Sequence, residues 1–572
     1  MTLALGPCCR QHARRFLATS RPTVWATRSF ATEVPSEAED FDVVIVGGGP
    51  AGLALATALA SSKPILDSTS IALIEAGDLA RVRNWSQPGD TFSNRVSSIT
   101  NVSQAFLDSI GAWAHVDSSR VAKLEDMQVW DGLSDARIEF SASELRSLSG
   151  SGRIPQIAHM TENLNLQRGL LRRLNDFPSV RLLDNVKVDD IKAEEADRGG
   201  WPTLKLSDGK TLRARLLVGA DGFNSPVKKY AGVRTYGWAY DTHAVVATMF
   251  HSPPFPGTPL TAYQRFLPTG PIAFLPLSDT AASLVWSTKP HLAAALKATH
   301  PDVLRKMINA AFRLPDTSMK VLYDVILDTK SQVTPEEMAE TIRWREDSHG
   351  IAPLSSLSSV EAEGSAAVGG YGGEVDMPSL VTAIQPGSVA GFPLRLSHAE
   401  VYIGEGAGAR TALVGDAAHT VHPLAGQGLN MGLGDVQALT KCIENAVQLG
   451  ADIGSRTALL PYPRARYFEN HKLLSATDKL HKLYGTTFPP VVWARSVGLE
   501  VINELESVKS VLMMNAGSSA PSNAGRGGEA NPLWDVAAAG VEGVSRAVHS
   551  AEAVARGVGN LGVALIQNAF RK

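Results

Sequence analysis

Hydrophobic and polar positions follow three different rhythms along this chain, and each predicts a different kind of element. Residues 42–46, DVVIV, are rich in β-branched apolar side chains, as in a strand covered on both faces of a parallel sheet. The uncharged stretch 43–62, VVIVGGGPAGLALATALASS, is long enough to cross a membrane. Three consecutive glycines and a proline in its middle instead predict strand, tight turn and helix, the helix over 51–61. Similar strand patterns precede Glu75 in IALIEAGD (71–78) and Gly415-Asp416 in ARTALVGDAAH (409–419). Segments that alternate residue by residue, MQVWDG (127–132), RIEF (137–140) and SLVWST (283–288), predict an antiparallel sheet. Near the C-terminus the rhythm changes again. From Trp534 through Val541, Val544, Val548, Ala551 and Ala555 to Ala569, apolar residues recur at spacings of three and four, one face of an amphipathic helix or hairpin.

The first strand–turn–helix unit carries chemistry. Its turn fits GxGxxG with Gly47, Gly49 and Gly52. Gly47 permits the tight turn, Gly49 lets backbone amides approach a pyrophosphate, and Gly52 lets the helix pack close to the strand. The helix N-terminus adds its N–H groups and dipole. Glu75, at the end of the second strand, can accept hydrogen bonds from the ribose hydroxyls of an adenine nucleotide. These features define a dinucleotide site without separating FAD from NAD. Asp416 favours FAD, because a carboxylate at a strand end can fix a ribityl chain. Glycines 426, 428, 432 and 434 would let backbone amides reach a phosphate and the isoalloxazine edge, with a helix beginning near Leu429.

Composition narrows the setting. A chain of 572 residues, 44% hydrophobic and 19% charged, suits two or three domains. Cys8, Cys9 and Cys442 form no CxxC and no Cys/His cluster, so neither a disulfide framework nor a metal site is expected. Residues 1–30 contain Arg10, Arg14, Arg15, Arg21 and Arg28 but no Lys, Asp or Glu, the composition of a mitochondrial transit peptide. Taking those charges from a formal net charge of −3 leaves an acidic body, which argues against nucleic acid as a partner.

Three segments in order, GGGPAG (47–52), LLVGADGFNSPVKKYAGV (216–233) and LVGDAAHTVHPLAGQGLNMGLGD (413–435), resemble the three fingerprints of the aromatic-ring hydroxylase class of flavoprotein monooxygenases. Within that class the chain is most similar to the ubiquinone biosynthesis hydroxylases, in their mitochondrial eukaryotic branch. NRVSSIT (94–100), ENLNLQRGLL (162–171), FLPTGPIAFLPLSD (266–279), LVWST (284–288) and GFPLRLSHAE (391–400) support this. The resemblance implies an α/β fold: an FAD-binding, Rossmann-like domain of glutathione-reductase type, an interleaved antiparallel-sheet substrate domain and C-terminal helices. It implies that Gly47, Gly49, Gly52 and Glu75 hold the ADP half of FAD and that Arg95 reaches its phosphates. Asp221 and Gly222 match the middle fingerprint. Gly415 and Asp416 match the ribityl site, and Pro423, Gly426, Gly428, Leu429 and Asn430 the loop against the isoalloxazine.

The implied reaction is hydroxylation, at ring carbon 5, of a polyprenylated 4-hydroxybenzoate-type precursor by dioxygen through a flavin hydroperoxide. Ferredoxin and its reductase are the implied electron source, docking on basic doublets such as Arg172-Arg173 or Lys228-Lys229. A coenzyme Q biosynthetic complex on the matrix side of the inner membrane, held peripherally, is the implied setting. Phe274, Leu275, Leu277, Phe392 and Leu394 are candidate walls of an apolar substrate pocket. His419 and His422 invite a general-base role, but Pro423 argues against one shared helical face, so no catalytic side chain is assigned. The FAD domain is expected over 42–118, 155–235 and 401–445, and the substrate domain over 119–154 and 236–400, with a Ser/Gly/Ala-rich insertion at 354–379. C-terminal helices at 446–512, a linker at 516–532 and an amphipathic extension at 533–572 follow. Two other readings stay open: an NADPH-dependent flavin hydroxylase of a soluble aromatic metabolite, and a flavin-stabilised scaffold of a biosynthetic complex.

Overall fold

A computed structural model describes residues 38–143, 156–194, 200–254, 256–328, 333–353, 355–359 and 377–504. The leader at 1–30, the linker at 516–532 and the extension at 533–572 lie outside the described residues, as do most of 354–379 and the end of 446–512.

The strand Glu39–Val46 sits centrally in a seven-stranded sheet, and its last four residues are fully or almost fully buried. It pairs in parallel with Ile71–Ile74 on one side and Thr211–Gly219 on the other. Val180–Leu183 and Thr411–Leu413 extend the parallel part, while Pro202–Leu206 and Val188–Ala193 add an antiparallel end. Three parallel strand ends therefore present their C-terminal loops side by side: 47–49, 220–222 and 414–416. Ligands bind at such an edge in open α/β sheets. The helix Pro50–Ser61 buries nine of its residues against this sheet and against the helix Gly428–Gln448.

A second sheet of nine strands is almost wholly antiparallel, with Thr235–His251 as its longest strand. One face packs on four helices, Pro290–Ala298, Pro301–Arg313, Asp316–Leu327 and Pro335–Ser348, around Trp130, Trp286, Phe274 and Phe312. The other face meets the small sheet Val96–Thr100, Ala158–Glu162 and Val121–Leu124 through Leu275, Leu277, Met160 and Ala262. The two-residue strand His419–Thr420 also joins the nine-stranded sheet, so the segment carrying Asp416 contributes to both large sheets. Helices Pro461–Gly485 and Pro489–Glu504 close the described chain. Among the described residues no helix is long and apolar enough to cross a membrane.

Two ties hold the loop 85–95 between the layers. The Gln385 side chain accepts from Phe92 N and donates to Phe92 O, both at 2.8 Å, and Asn94 Nδ2 donates to Ser388 O at 2.7 Å. Beneath them Glu162, 1% exposed, takes Arg120 Nε at 2.6 Å and Ser93 N at 2.5 Å.

Three imidazoles are buried in the neutral form. Burial pushes His159 and His398 down to about 4 and His422 to about 3, helped by Lys123, by His419 and His471, and by His481 respectively. The unfolded chain takes up these protons near pH 6.5 and the folded chain refuses them, so this stability is complete above pH 6.5 and is lost as the pH falls. One pH unit below 6.5 should remove about 1.4 kcal/mol per histidine. Thermal unfolding between pH 7 and pH 5 should show the decline, with a shallower slope in His159→Gln. A pH-independent midpoint over that range would contradict the buried neutral assignment.

Candidate functional site

The glycine loop has the tight turn and the close helix packing that its spacing predicts. A side chain on Gly47, whose φ is 109°, would meet Ala220 O at 2.3 Å, and one on Gly52 would meet Gly47 O at 1.9 Å. Gly49 is different: a Cβ there meets nothing within 4 Å. That open ground lies at the N-terminus of the 50–61 helix, which has no side-chain cap and no acid in its first turn. The start of the 428–448 helix likewise lacks both. Two bare helix N-termini on one cleft suit anionic phosphates. Glu75 is half-buried and grips the loop itself, its carboxylate accepting from Gly48 N and, at 2.7 Å, from Gly77 N.

On the opposite side, burial raises the pKa of both Asp221 and Asp416, while Lys228 draws each back down. Asp221 Oδ2 accepts from Val227 N at 3.3 Å, and Oδ1 is buried without a partner. Gly222 follows it at φ 79°. Asp416 is exposed to solvent inside a recess shared with His419 and Lys228. Lys228 donates to Phe223 O at 3.1 Å, and burial lowers its pKa against the pull of Asp221 and Asp416. Lys228 therefore turns into the cleft, and the Lys228-Lys229 doublet expected at the surface leaves only Lys229 exposed. In the other doublet, Arg173 is tied to Ile110 O and Asp176. Arg95 is exposed, and its guanidinium has no partner among the described residues.

The turn that carries Asp416 is built by Asp435. This carboxylate, 0% exposed, accepts from Gly415 N (3.1 Å) and His419 Nε2 (2.6 Å) through Oδ2. Its Oδ1 accepts from Arg466 Nε (3.1 Å) and Asn470 Nδ2 (2.9 Å). Burial alone would raise its pKa, but His419, Arg466 and Asn470 outweigh it and hold the carboxyl below its ordinary value. Gly415, at φ 59°, lies so close to the neighbouring helices that a Cβ would stand 3.2 Å from Ala51 Cβ.

Four of the expected contributions take another form. A Cβ on Gly432 would come 3.2 Å from Gly415 Cα, and one on Gly434 would come 2.7 Å from the Arg466 guanidinium, so these glycines make room for protein rather than cofactor. Asn430 joins Ser98 O (2.7 Å) to Thr100 N (3.0 Å) and staples the 96–100 strand to the helix start. His422 Nδ1 accepts from Leu424 N at 3.2 Å and caps the short turn at Pro423–Ala425. Its proton then sits on Nε2, which makes it a donor and not a base. Gly426, at φ 60°, ends that turn; Gly428 opens the following helix, and Leu429 packs on the main core.

The five expected wall residues do not come together. Alternation along Gly270–Pro276 sends Phe274 to the helical layer, among Tyr263 and Phe312, while Leu275 and Leu277 face the small sheet. Leu394 packs with Tyr240 and Met431, and Phe392 is 45% exposed. Sequence reasoning also passed over Asp435, Arg466 and Asn470. A trace existed for Asp435, which lies three residues after Gly432 and so on the same face of its helix.

FAD, the cofactor implied by the resemblance, fits these residues: open ground at Gly49, two bare helix ends and an unpartnered buried Asp221 oxygen. Replacing Gly49 by Ala should leave the apoprotein as stable as the parent and weaken FAD binding at least tenfold. Gly52→Ala should instead destabilise the apoprotein, and Asp435→Asn should weaken FAD binding as much as Asp416→Ala. Flavin absorption after gel filtration, beside thermal unfolding of the apoproteins, separates these outcomes.

Residues 107–339 and 397–454 match the FAD binding domain family. The mitochondrial ubiquinone biosynthesis monooxygenase COQ6 of Schizosaccharomyces pombe is 37% identical over 507 residues, covering 87% of this chain and 96% of its own. COQ6 of Saccharomyces cerevisiae is 38% identical over 500 residues (86% and 97%), and that of Homo sapiens 36% over 479 (83% and 92%). Among solved structures, p-nitrophenol 4-monooxygenase PnpA of Pseudomonas putida shares the fold with a TM-score of 0.57 at 16% identity, covering 84% of this chain and 100% of its own. PqsL of Pseudomonas aeruginosa does so with a TM-score of 0.54 at 19% identity (81% and 99%). The chain belongs to the COQ6 family of ubiquinone biosynthesis monooxygenases and is an FAD-dependent flavoprotein.

Proposed function

We propose that this monooxygenase hydroxylates ring carbon 5 of a polyprenylated 4-hydroxybenzoate-type phenol in mitochondria, bound peripherally to the matrix side of the inner membrane. The observation that carries this reading is the 37–38% identity to two fungal COQ6 proteins over 96–97% of their lengths. Apolar packing between the sheets is compatible with it. Leu275, Leu277, Met160 and Ala262 line the contact between the nine-stranded and three-stranded sheets, and Phe266 and Leu424 continue it toward the 423–425 turn.

Bound FAD, once reduced, supplies the activation of dioxygen. The chain's own part is to hold and shield. Gly49 and the 50–61 helix would take the pyrophosphate, Glu75 the adenine ribose and Asp416 the ribityl chain, with Lys228 balancing the carboxylates. Apolar walls keep water from the reacting centre. His422, neutral and donating through Nε2, is poised to hold a hydrogen-bond acceptor rather than to remove a phenol proton. Electrons would come from ferredoxin and its reductase.

A strain lacking the gene should contain no ubiquinone and should accumulate an unhydroxylated prenyl-phenol, restored to ubiquinone by the parent chain but not by Asp416→Ala. Normal ubiquinone in that strain would remove the assignment. Rapid NADPH oxidation by the purified holoenzyme, without ferredoxin and stimulated by a soluble phenol, would support the soluble-substrate reading instead.

A further inference from the structure

The last described helix, Pro489–Glu504, has two unlike faces. One is locked to the nine-stranded sheet. Arg495 pairs with Asp131 at 2.6 and 2.9 Å, both side chains almost wholly buried, and Leu499 and Ile502 pack beside Ile138. The other face is apolar and uncovered: Trp493 is 69% exposed, Val497 38% and Val501 52%, at i, i+4 and i+8 on one stripe. Phe488, at 40%, continues it past the helix start. Large apolar side chains gathered on one exposed face mark a surface that something covers.

The chain itself runs on from this helix, through residues 505–572 outside the described part. That sequence holds a strict alternation of three and four: Trp534, Ala537, Val541, Val544, Val548, Ala551. A repeat averaging 3.5 residues is the seam of a helix that pairs with another helix. We propose that residues 533–555 of the same chain cover the Trp493–Val497–Val501 face, helix against helix.

Reach favours this occupant, and charge disfavours a lipid surface. The 16-residue helix is about 24 Å long. A linker of the length of 516–532, rich in Gly, Ser and Asn, would span about 20 Å or more as a random coil, close to the length of this helix, so the seam can return along the face. Tethering gives an effective concentration in the millimolar range, which favours the chain's own segment over a second copy. Glu500 and Glu504 are exposed beside the stripe, which disfavours an anionic lipid surface.

The test places a thiol on the face: Val497→Cys in the full chain, with Cys8 and Cys9 replaced by Ser and Cys442 buried. Maleimide labelling at low micromolar protein should be at least tenfold slower than in the same chain ending at Asn515. Val541→Asp with Val548→Asp in the full chain should restore the fast rate while flavin absorption is unchanged. Equal rates in the full and shortened chains would overturn the proposal. So would protection that vanishes on dilution, which identifies a second copy, or protection seen only with phosphatidylcholine–cardiolipin vesicles, which identifies lipid.

Discussion

A carboxylate sealed from water must be surrounded by donors or lose its charge, and Asp435 is that carboxylate here. Its four partners come from three places: the turn after the 411–413 strand, the strand at His419 and the 461–485 helix. Satisfying one buried charge thus fixes a backbone amide, an imidazole and a guanidinium together. The position of Asp416 follows from this. Its side chain enters the recess because the residue before it and the residue three after it are both bound to Asp435. Removing any one donor leaves the others around a charge that burial disfavours.

The second constraint is the seam between the layers. Loop 85–95 is short of regular structure, yet it is bound from both sides, by the Arg120–Glu162 pair beneath and by Gln385 and Ser388 across the seam. Arg95 projects from a rigid base in consequence. The cleft is therefore not a gap between two bodies free to slide. It is framed by side chains that each layer contributes to the other.

What could be read from the sequence was what short-range geometry dictates. Gly47, Gly49 and Gly52 follow from the sterics of one turn, and Asp221 and Asp416 from their places at the ends of parallel strands. Phe274 was misplaced although its period was legible, since neighbours in a strand point to opposite faces and Phe274 and Leu275 cannot share a wall. The Asp435 cluster and the Asp131–Arg495 pair were out of reach for a different reason. Nothing local distinguishes a surface Asp from one that waits 364 residues for its arginine.

That last separation has a consequence for how the molecule is made. The strand Arg137–Ser141 is an edge of the nine-stranded sheet, and an unguarded edge invites pairing with other chains. Its guard is the 489–504 helix, with Glu139 N donating to Asn503 Oδ1 at 3.1 Å. The sheet also draws its strands from positions 126 to 420. A chain delivered from its N-terminus therefore holds an incomplete sheet with an open flank until almost all of it has arrived, and in that interval it depends on being kept apart from its own copies.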